Sequence, residues 1–143
     1  MKVDEWNDRY GDEVATWHYE PPYDFYDGDQ EDPLNPERYF AVRDDGDAMT
    51  GFYYFEPNDD VLDYGLGLRP DLVGRGLGLD FFRAGLEFAR ERYRPRLIRL
   101  HVAAFNERAI KVYERASFRE VGRHMRSFER WGEVEFITMD EQR

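Results

Sequence analysis

The chain contains no cysteine. This excludes a disulfide framework, a thiolate zinc site, an iron–sulfur site and a cysteine nucleophile. Lysine is scarce as well: Lys2 and Lys111 are the only two, and every other basic residue is arginine. The 20 basic residues stand against 31 acidic ones, for a formal net charge of −11. Phosphate contacts require clustered Lys and Arg, so a chain this acidic is a poor general binder of nucleic acid. Anionic lipid headgroups would repel it too. No apolar run approaches the roughly 18–20 residues that a membrane span needs. The opening residues MKVDEWNDRYGDE lack both the apolar stretch of a signal peptide and the acid-poor, Arg-rich bias of a transit peptide. The expectation is a soluble cytoplasmic protein with neither nucleic acid nor membrane as partner. The acidity has two readings, a cationic substrate or a solvated surface.

What is present is enough to build a core. The length of 143 residues is that of one domain, residues 1–143. The 3 Trp, 10 Tyr and 11 Phe are large apolar groups, each able to bury about 150–250 Å². There is no internal repeat. The one long irregular stretch runs from Pro21 to Pro36, and its aromatics Tyr23, Phe25 and Tyr26 indicate a packed segment rather than a linker.

Two clear helices, a weaker one and a set of strands can be read from the pattern. Residues 2–6 suggest a short strand and 8–17 a weak amphipathic helix. Residues 38–43 and 48–56 read as strands joined by the turn sequence DDGD. Pro57 to Asp60 turn the chain again, into a strand over 61–68 that contains Gly65 and Gly67. Interior glycines in a strand mark a bulge or a close backbone approach. From Gly74 to Tyr93 the apolar residues Phe81, Phe82, Leu86, Ala89 and Tyr93, with Gly85, share one helical face. Pro95 ends that helix. A strand at 96–102 follows, then a short helix to Ala116 that Asn106 can cap. Strands near 118–126 and 133–139 complete a mixed α/β chain.

The chemistry is concentrated in LGLRPDLVGRGLGLDFF, residues 66–82. A strand ends, a loop carries Gly74, Gly76 and Gly78, and a long helix begins. The first backbone N–H groups of a helix have no internal partner, and with the helix dipole they form an anion site. Glycines let a phosphate approach such amides closely. The loop lacks the Gly-Lys-Ser/Thr ending of a P-loop, and Leu79 stands where a dinucleotide fingerprint needs its third glycine. A bare helix entry with no ligand stays open at this point.

Two motifs in order resolve the ambiguity. RPDLVGRGLG (69–78) is similar to the Gln/Arg-x-x-Gly-x-Gly/Ala loop of the GCN5-related N-acetyltransferase (GNAT) superfamily. NERAIKVYERASF (106–118) is similar to that family's Asn-x-x-Ala-x-x-x-Tyr-x-x-x-Gly-Phe helix. The resemblance covers roughly residues 38–126. Val73 departs from the family's Gln or Arg, and Ser117 departs from its Gly. If Ser117 is the left-handed residue closing the helix, it costs about 1 kcal/mol there.

The resemblance implies a single-domain α/β (α+β) acyl-CoA N-acyltransferase fold, a mixed, mostly antiparallel sheet whose central strands splay apart. It implies an acetyl-CoA-dependent N-acetyltransferase that passes the acetyl group directly to a primary amine. The pantetheine arm would lie along Leu66, Gly67 and Leu68, and the pyrophosphate along Val73, Gly74, Arg75, Gly76, Leu77, Gly78 and Leu79. Asn106 would touch CoA, or serve only as a helix cap. Tyr113 would be the general acid for the leaving thiolate, and the backbone N–H of Leu68 the oxyanion donor. His101 stands where some members carry a Glu base; Glu56, Asp63 and a water chain are its alternatives. The acceptor region would be 16–27, where Trp17, Tyr19, Tyr23 and Tyr26 with nearby acids could cage a cation. His18 and His124 show no ligand spacing, and no metal is expected. The acceptor, a small-molecule amine or a peptide or protein N-terminus, is not specified. Dimers are common in the family, which leaves a homodimer open. A non-catalytic acyl-CoA-binding module is the alternative function, and an unrelated nucleotide-binding protein a more distant one.

Overall fold

The computed structural model describes residues 1–27 and 36–142. Most of the Pro21–Pro36 stretch, residues 28–35, therefore lies outside the described residues. In chain order the elements are β1 (Lys2–Glu5), α1 (Asp8–Val14), β2 (Tyr39–Arg43), β3 (Met49–Asn58), β4 (Val61–Leu68), α2 (Gly78–Tyr93), β5 (Leu97–Ala103), α3 (Glu107–Arg115), β6 (Phe118–Phe128) and β7 (Gly132–Glu141). Short 3-10 turns occupy Tyr23–Tyr26, Pro36–Arg38 and Pro70–Leu72. The strands form a seven-stranded sheet in the order β1-β2-β3-β4-β5-β7-β6. The β1–β2, β2–β3, β5–β7 and β6–β7 pairs are antiparallel and β4–β5 is parallel.

The strand pattern follows from period-two burial. In β3, Met49, Gly51, Tyr53 and Phe55 point inward while Thr50, Phe52, Tyr54 and Glu56 stay half-exposed. In β5, Ile98, Leu100 and Val102 are buried and Arg99 and His101 face the other way. The same alternation puts Leu62 and Tyr64 of β4 inward and Asp63 outward.

The chain divides into two compact units. The first comprises Met1–Tyr54 and Leu66–Arg75. Here Val14, Trp17, Ala41 and Met49 form a core lined by the half-buried Trp6, Tyr10, Tyr19 and Phe52. The second comprises Phe55–Gly65 and Gly76–Arg143. Its core is aromatic along α2: Phe55 stacks on Tyr64 and Phe88, and Phe82 meets Tyr64, Tyr113 and Phe118 with ring centroids 4.8–5.4 Å apart. The Tyr64 hydroxyl donates to the Phe82 carbonyl at 3.0 Å, which satisfies a buried polar group.

Several sequence boundaries shift for physical reasons. The α2 helix starts at Gly78 rather than Gly74, because Gly74 and Gly76 take φ of 80° and 76°, outside the helical region. At its other end Arg94 adopts φ 49° and donates its N–H to Arg90, and Pro95 follows. The α1 helix closes at Val14, three residues before the expected end. The β3 strand continues through Pro57 to Asn58 instead of turning at Pro57. Strand β1 is present, although only 4 residues long. Ser117 does adopt the left-handed conformation, at φ 70°, directly after the C-cap of α3. Replacing it with glycine removes the Cβ penalty. Ser117→Gly is expected to raise stability by about 1 kcal/mol, read as a higher denaturant midpoint at unchanged m-value.

Candidate functional site

The glycine loop is the first component. Arg69 fixes its entry: the Arg69 N–H donates to the Thr50 carbonyl at 2.8 Å, and Nη1 to the Met49 carbonyl at 2.9 Å. Its Nε and Nη2 grip both oxygens of Asp71 at 2.6 and 3.1 Å. This bidentate pair holds the Asp71 carboxyl below the usual carboxylate range. The chain then runs through Val73 and the left-handed Gly74 and Gly76, with Arg75 between them, to the exposed Leu77.

The α2 N-terminus differs from those of the other α-helices among the described residues. Asn7 caps α1 by accepting from the N–H groups of Arg9 and Tyr10. Asn106 caps α3 by accepting from the Ala109 N–H at 3.2 Å. Leu77, at the N-cap of α2, makes no side-chain hydrogen bond. The first amides of a 16-residue helix are thus left without a side-chain acceptor. A dianionic or anionic phosphate is the chemistry such a site accepts. Gly78 sits in ordinary contact with Val112 of α3, a Cβ there lying 3.5 Å from Cγ2.

The end of β4 is the second component. A Cβ on Gly67 would lie 2.4 Å from Cε1 of Phe52 and 2.5 Å from its Cζ. The glycine is required by this close approach, not by a positive φ. The Leu68 carbonyl accepts from the Tyr19 hydroxyl at 2.7 Å. Burial, and then the Asp27 charge, push the Tyr19 phenol up, so it stays a donor. Asp27 also holds the backbone, accepting from the Tyr19 N–H at 2.7 Å and meeting His18 Nδ1 at 3.1 Å.

These contacts and their neighbours define the surroundings of the region read at 16–27. Trp17 is only 5% exposed and belongs to the core, stacked on Phe52 with centroids 6.3 Å apart. These are the contacts of a packing residue. The Tyr19 hydroxyl is committed to Leu68. Tyr23 and Tyr26 sit on a 3-10 turn, and Tyr26 is exposed, edge-on to Phe25.

The third component is polar and lies on the outward face of β4, β5 and β7 in the second unit. The β4–β5 register ends at Asp63↔Arg99, and the rest of β5 pairs with β7, setting His101 opposite Thr138. Sequence reading named His101 and Asp63 as rival bases, and the structure brings them together. His101 Nε2 lies 3.5 Å from Asp63 Oδ1, and His101 Nδ1 lies 3.2 Å from Thr138 Oγ1. His101 is 26% and Asp63 19% exposed, so both are reachable yet shielded. The second Asp63 oxygen accepts from Asn58 Nδ2 at 3.1 Å. Arg99 is bound bidentately by Asp140 at 2.7 and 3.0 Å. His124 meets His101 edge-on at 5.5 Å and stacks on Phe136. Burial first, then the charge of Arg126 and the neighbouring His101, hold the His124 imidazole below its usual range. Glu56, the other rival, is half-buried at the end of the inward-outward alternation of β3. Thr138 was not identified from sequence; a strand threonine carries no signal until the register supplies its partner.

Tyr113 sits on the half-buried side of α3, its ring tilted against Phe82 at 4.8 Å. Ring packing therefore fixes the hydroxyl's position. No cluster of three or more metal-ligating side chains occurs among the described residues. Nor is any helix among them long and apolar enough to cross a membrane.

Comparison with known proteins identifies the family and the fold. The profile of the acetyltransferase (GNAT) family matches residues 3–118. Mycothiol acetyltransferase of Propionibacterium freudenreichii subsp. shermanii is 33% identical over 95 residues, 62% of this chain and 30% of that protein. Mycothiol acetyltransferase of Saccharopolyspora erythraea is 34% identical over 92 residues, 63% of this chain and 30% of that protein. The chain thus spans about 30% of the length of these curated relatives. Among solved structures, a chimera of spermidine N-acetyltransferase from Vibrio cholerae superposes with a TM-score of 0.77 at 18% identity, over 99% of this chain and 95% of that one. A GNAT-family acetyltransferase from Bacillus anthracis gives a TM-score of 0.62 at 14% identity, over 72% and 64%. At such identities the superpositions establish the fold.

Proposed function

Because the chain belongs to the acetyltransferase (GNAT) family, we propose that it transfers an acetyl group from acetyl-CoA to a primary amine within a ternary complex. The observation that carries this reading is the uncapped start of α2 behind two left-handed glycines. Asparagine side chains cap α1 and α3, whereas the amides at Gly78 and Leu79 remain for an anionic ligand. A pyrophosphate fits that chemistry.

The residues divide the work as follows. The loop residues Val73, Gly74, Arg75, Gly76 and Leu77, with Gly78 and Leu79, bind the diphosphate through backbone amides. The Leu66–Leu68 segment offers backbone groups to an extended arm in the manner of an added strand. Its Leu68 N–H is placed to stabilise an oxyanion. Tyr19 and Arg69 hold the Leu68–Arg69 peptide group at both ends, through the Leu68 carbonyl and the Arg69 N–H. When bound, acetyl-CoA supplies the activated thioester carbonyl. Tyr113 donates a proton to the departing thiolate, a transfer within reach of a phenol whose pKa is ordinarily about 10. His101 removes the proton that the acceptor ammonium must lose before it can act as a nucleophile.

The acceptor is proposed as a small-molecule amine. The names of the similar proteins, mycothiol and spermidine acetyltransferases, and the net charge of −11 favour a cationic one. The test is CoA-thiol release with acetyl-CoA and a panel of spermidine, amino sugars, amino-acid amides, peptide N-termini and uncharged amines. Faster turnover of polyamines or amino sugars supports the reading. Equal rates on uncharged amines would remove the cationic preference, and no release with any amine would remove acetyl transfer itself.

A further inference from the structure

The structure points to a hydroxyl–imidazole–carboxylate relay made by Thr138, His101 and Asp63, and we propose that the acceptor's proton leaves through it. The inference rests on the acetyl-transfer reading and adds to it the route, the reacting nitrogen and a residue that sequence did not single out.

The His101 ring meets one partner at each nitrogen. Nε2 of His101 faces Asp63 Oδ1 at 3.5 Å, and Nδ1 faces Thr138 Oγ1 at 3.2 Å. An ionised carboxylate presents only lone pairs, so the nitrogen facing it carries the hydrogen. The neutral ring is therefore the Nε2–H form, with the lone pair on Nδ1. The Thr138 hydroxyl, free to rotate, donates its hydrogen to that lone pair. The basic nitrogen is then Nδ1, and it is reached through Thr138.

The proton balance closes. The acceptor ammonium gives one N–H proton to Thr138 Oγ1 as the hydroxyl's own proton passes to His101 Nδ1. The hydroxyl is regenerated, the amine gains its lone pair, and His101 becomes an imidazolium. Asp63 stabilises that cation. The amine then bonds to the thioester carbonyl carbon, the C–S bond breaks, and Tyr113 protonates the thiolate. The second N–H proton of the attacking nitrogen leaves as the amide forms and restores the phenol, and the imidazolium loses its proton to solvent, so one proton is released per turnover.

The surroundings suit such a relay. The register that pairs His101 with Thr138 fixes both on one face, and the β4–β5 register brings Asp63 alongside. Asn58 Nδ2 donates to the other Asp63 oxygen, orienting the carboxylate. The charged and titratable groups around the ring are few. Asp63 stands on β4; Arg99, on His101's own strand, is neutralised by Asp140 of β7. From β6, His124 meets the ring edge-on, and its Nε2 accepts from Arg126 Nε at 2.9 Å. Asp63 is thus the anion in contact with the His101 ring among the described residues, and it acts as a positioning residue for the histidine.

The test has two independent readouts on the full chain. The first is ring-nitrogen NMR of the histidines across pH, with His101→Gln used for assignment. The expected spectrum shows neutral His101 as the Nε2–H tautomer, with an Nδ1 shift that moves in Thr138→Val as the hydroxyl's hydrogen bond is lost. An Nδ1–H tautomer, or an Nδ1 shift unmoved in Thr138→Val, overturns the relay. The second is CoA-thiol release with the fastest amine of the panel. Thr138→Val is expected to lower kcat at least tenfold with the KM for acetyl-CoA unchanged, and Thr138→Ser to restore most of it. Wild-type kcat in Thr138→Val overturns the hydroxyl's part. If the NMR arrangement holds but the wild-type chain releases no thiol with any amine, the acetyl-transfer reading fails, and the relay's catalytic role with it.

Discussion

Tyr113→Phe is expected to lower kcat for thiol release by about 10²–10⁴-fold, the range for losing a positioned general acid. The substitution removes one oxygen and keeps the ring. That ring packs on Phe82 at 4.8 Å, so folding and loop geometry are expected to survive. The KM for acetyl-CoA should therefore stay close to wild type, and the loss should fall on kcat, as for an interaction made mainly in the transition state. Steady-state rates of both proteins, with thermal unfolding as the control for integrity, check this. Full turnover by the variant would remove Tyr113 from the chemistry and favour a purely packing role on α3. If the chain were a non-catalytic acyl-CoA-binding module, both proteins would bind acetyl-CoA and neither would release thiol.

Gly67→Val is expected to destabilise the first unit. The added Cβ would stand 2.4 Å from Phe52 Cε1, closer than real carbon contacts allow. The Phe52 ring has little room to retreat, with Trp6, Trp17 and Tyr39 at centroid distances of 6.3, 6.3 and 5.8 Å. Overpacking of this kind costs about 1–3 kcal/mol. The strain falls on the segment proposed to bind the extended arm of CoA, so weaker acetyl-CoA binding should accompany the lower unfolding midpoint. A double-mutant cycle with Phe52→Leu tests the cause. The cost of Gly67→Val should shrink when the ring is replaced, because the two side chains share one space. An unchanged cost would show that the clash with Phe52 is not the source.

Much of this architecture could be read from residue pattern, and the exceptions have identifiable causes. Strands β3, β4 and β5 were legible between turn and helix-ending signals, and each buries one face and exposes the other. Asn106 was legible as a cap, and the observed bond to the Ala109 N–H is that cap. Ser117 was legible as a left-handed residue because of the helix-ending position it occupies. The start of α2 was less so. Helical periodicity begins near Gly78, but glycines tolerate both signs of φ, and sequence alone did not show that Gly74 and Gly76 take the positive one.

The candidate site shows the same division. The loop and the Asn-to-Tyr helix are local motifs, so their residues could be named directly. The partnership of His101 with Asp63 and Thr138 depends on two strand registers, one parallel and one antiparallel. Strand separations of 38 and 37 residues carry no local signal. Trp17 was ambiguous for a related reason. An aromatic near acids reads equally well as a cage or as core, and the burial of Trp17 and its contact with Phe52 become visible only in the fold. Tyr19 likewise gains its role from a hydrogen bond to a carbonyl 49 residues away.

The most direct test of the account is thermal unfolding of the chain alone and with saturating acetyl-CoA, CoA or NAD. A ligand present at 100 times its Kd adds about 2.7 kcal/mol of stability, a rise of several degrees for a domain of about this size. The account predicts such a rise with acetyl-CoA and with CoA, and none with NAD. No rise with either CoA species would contradict it, leaving the uncapped start of α2 as an ordinary helix entry.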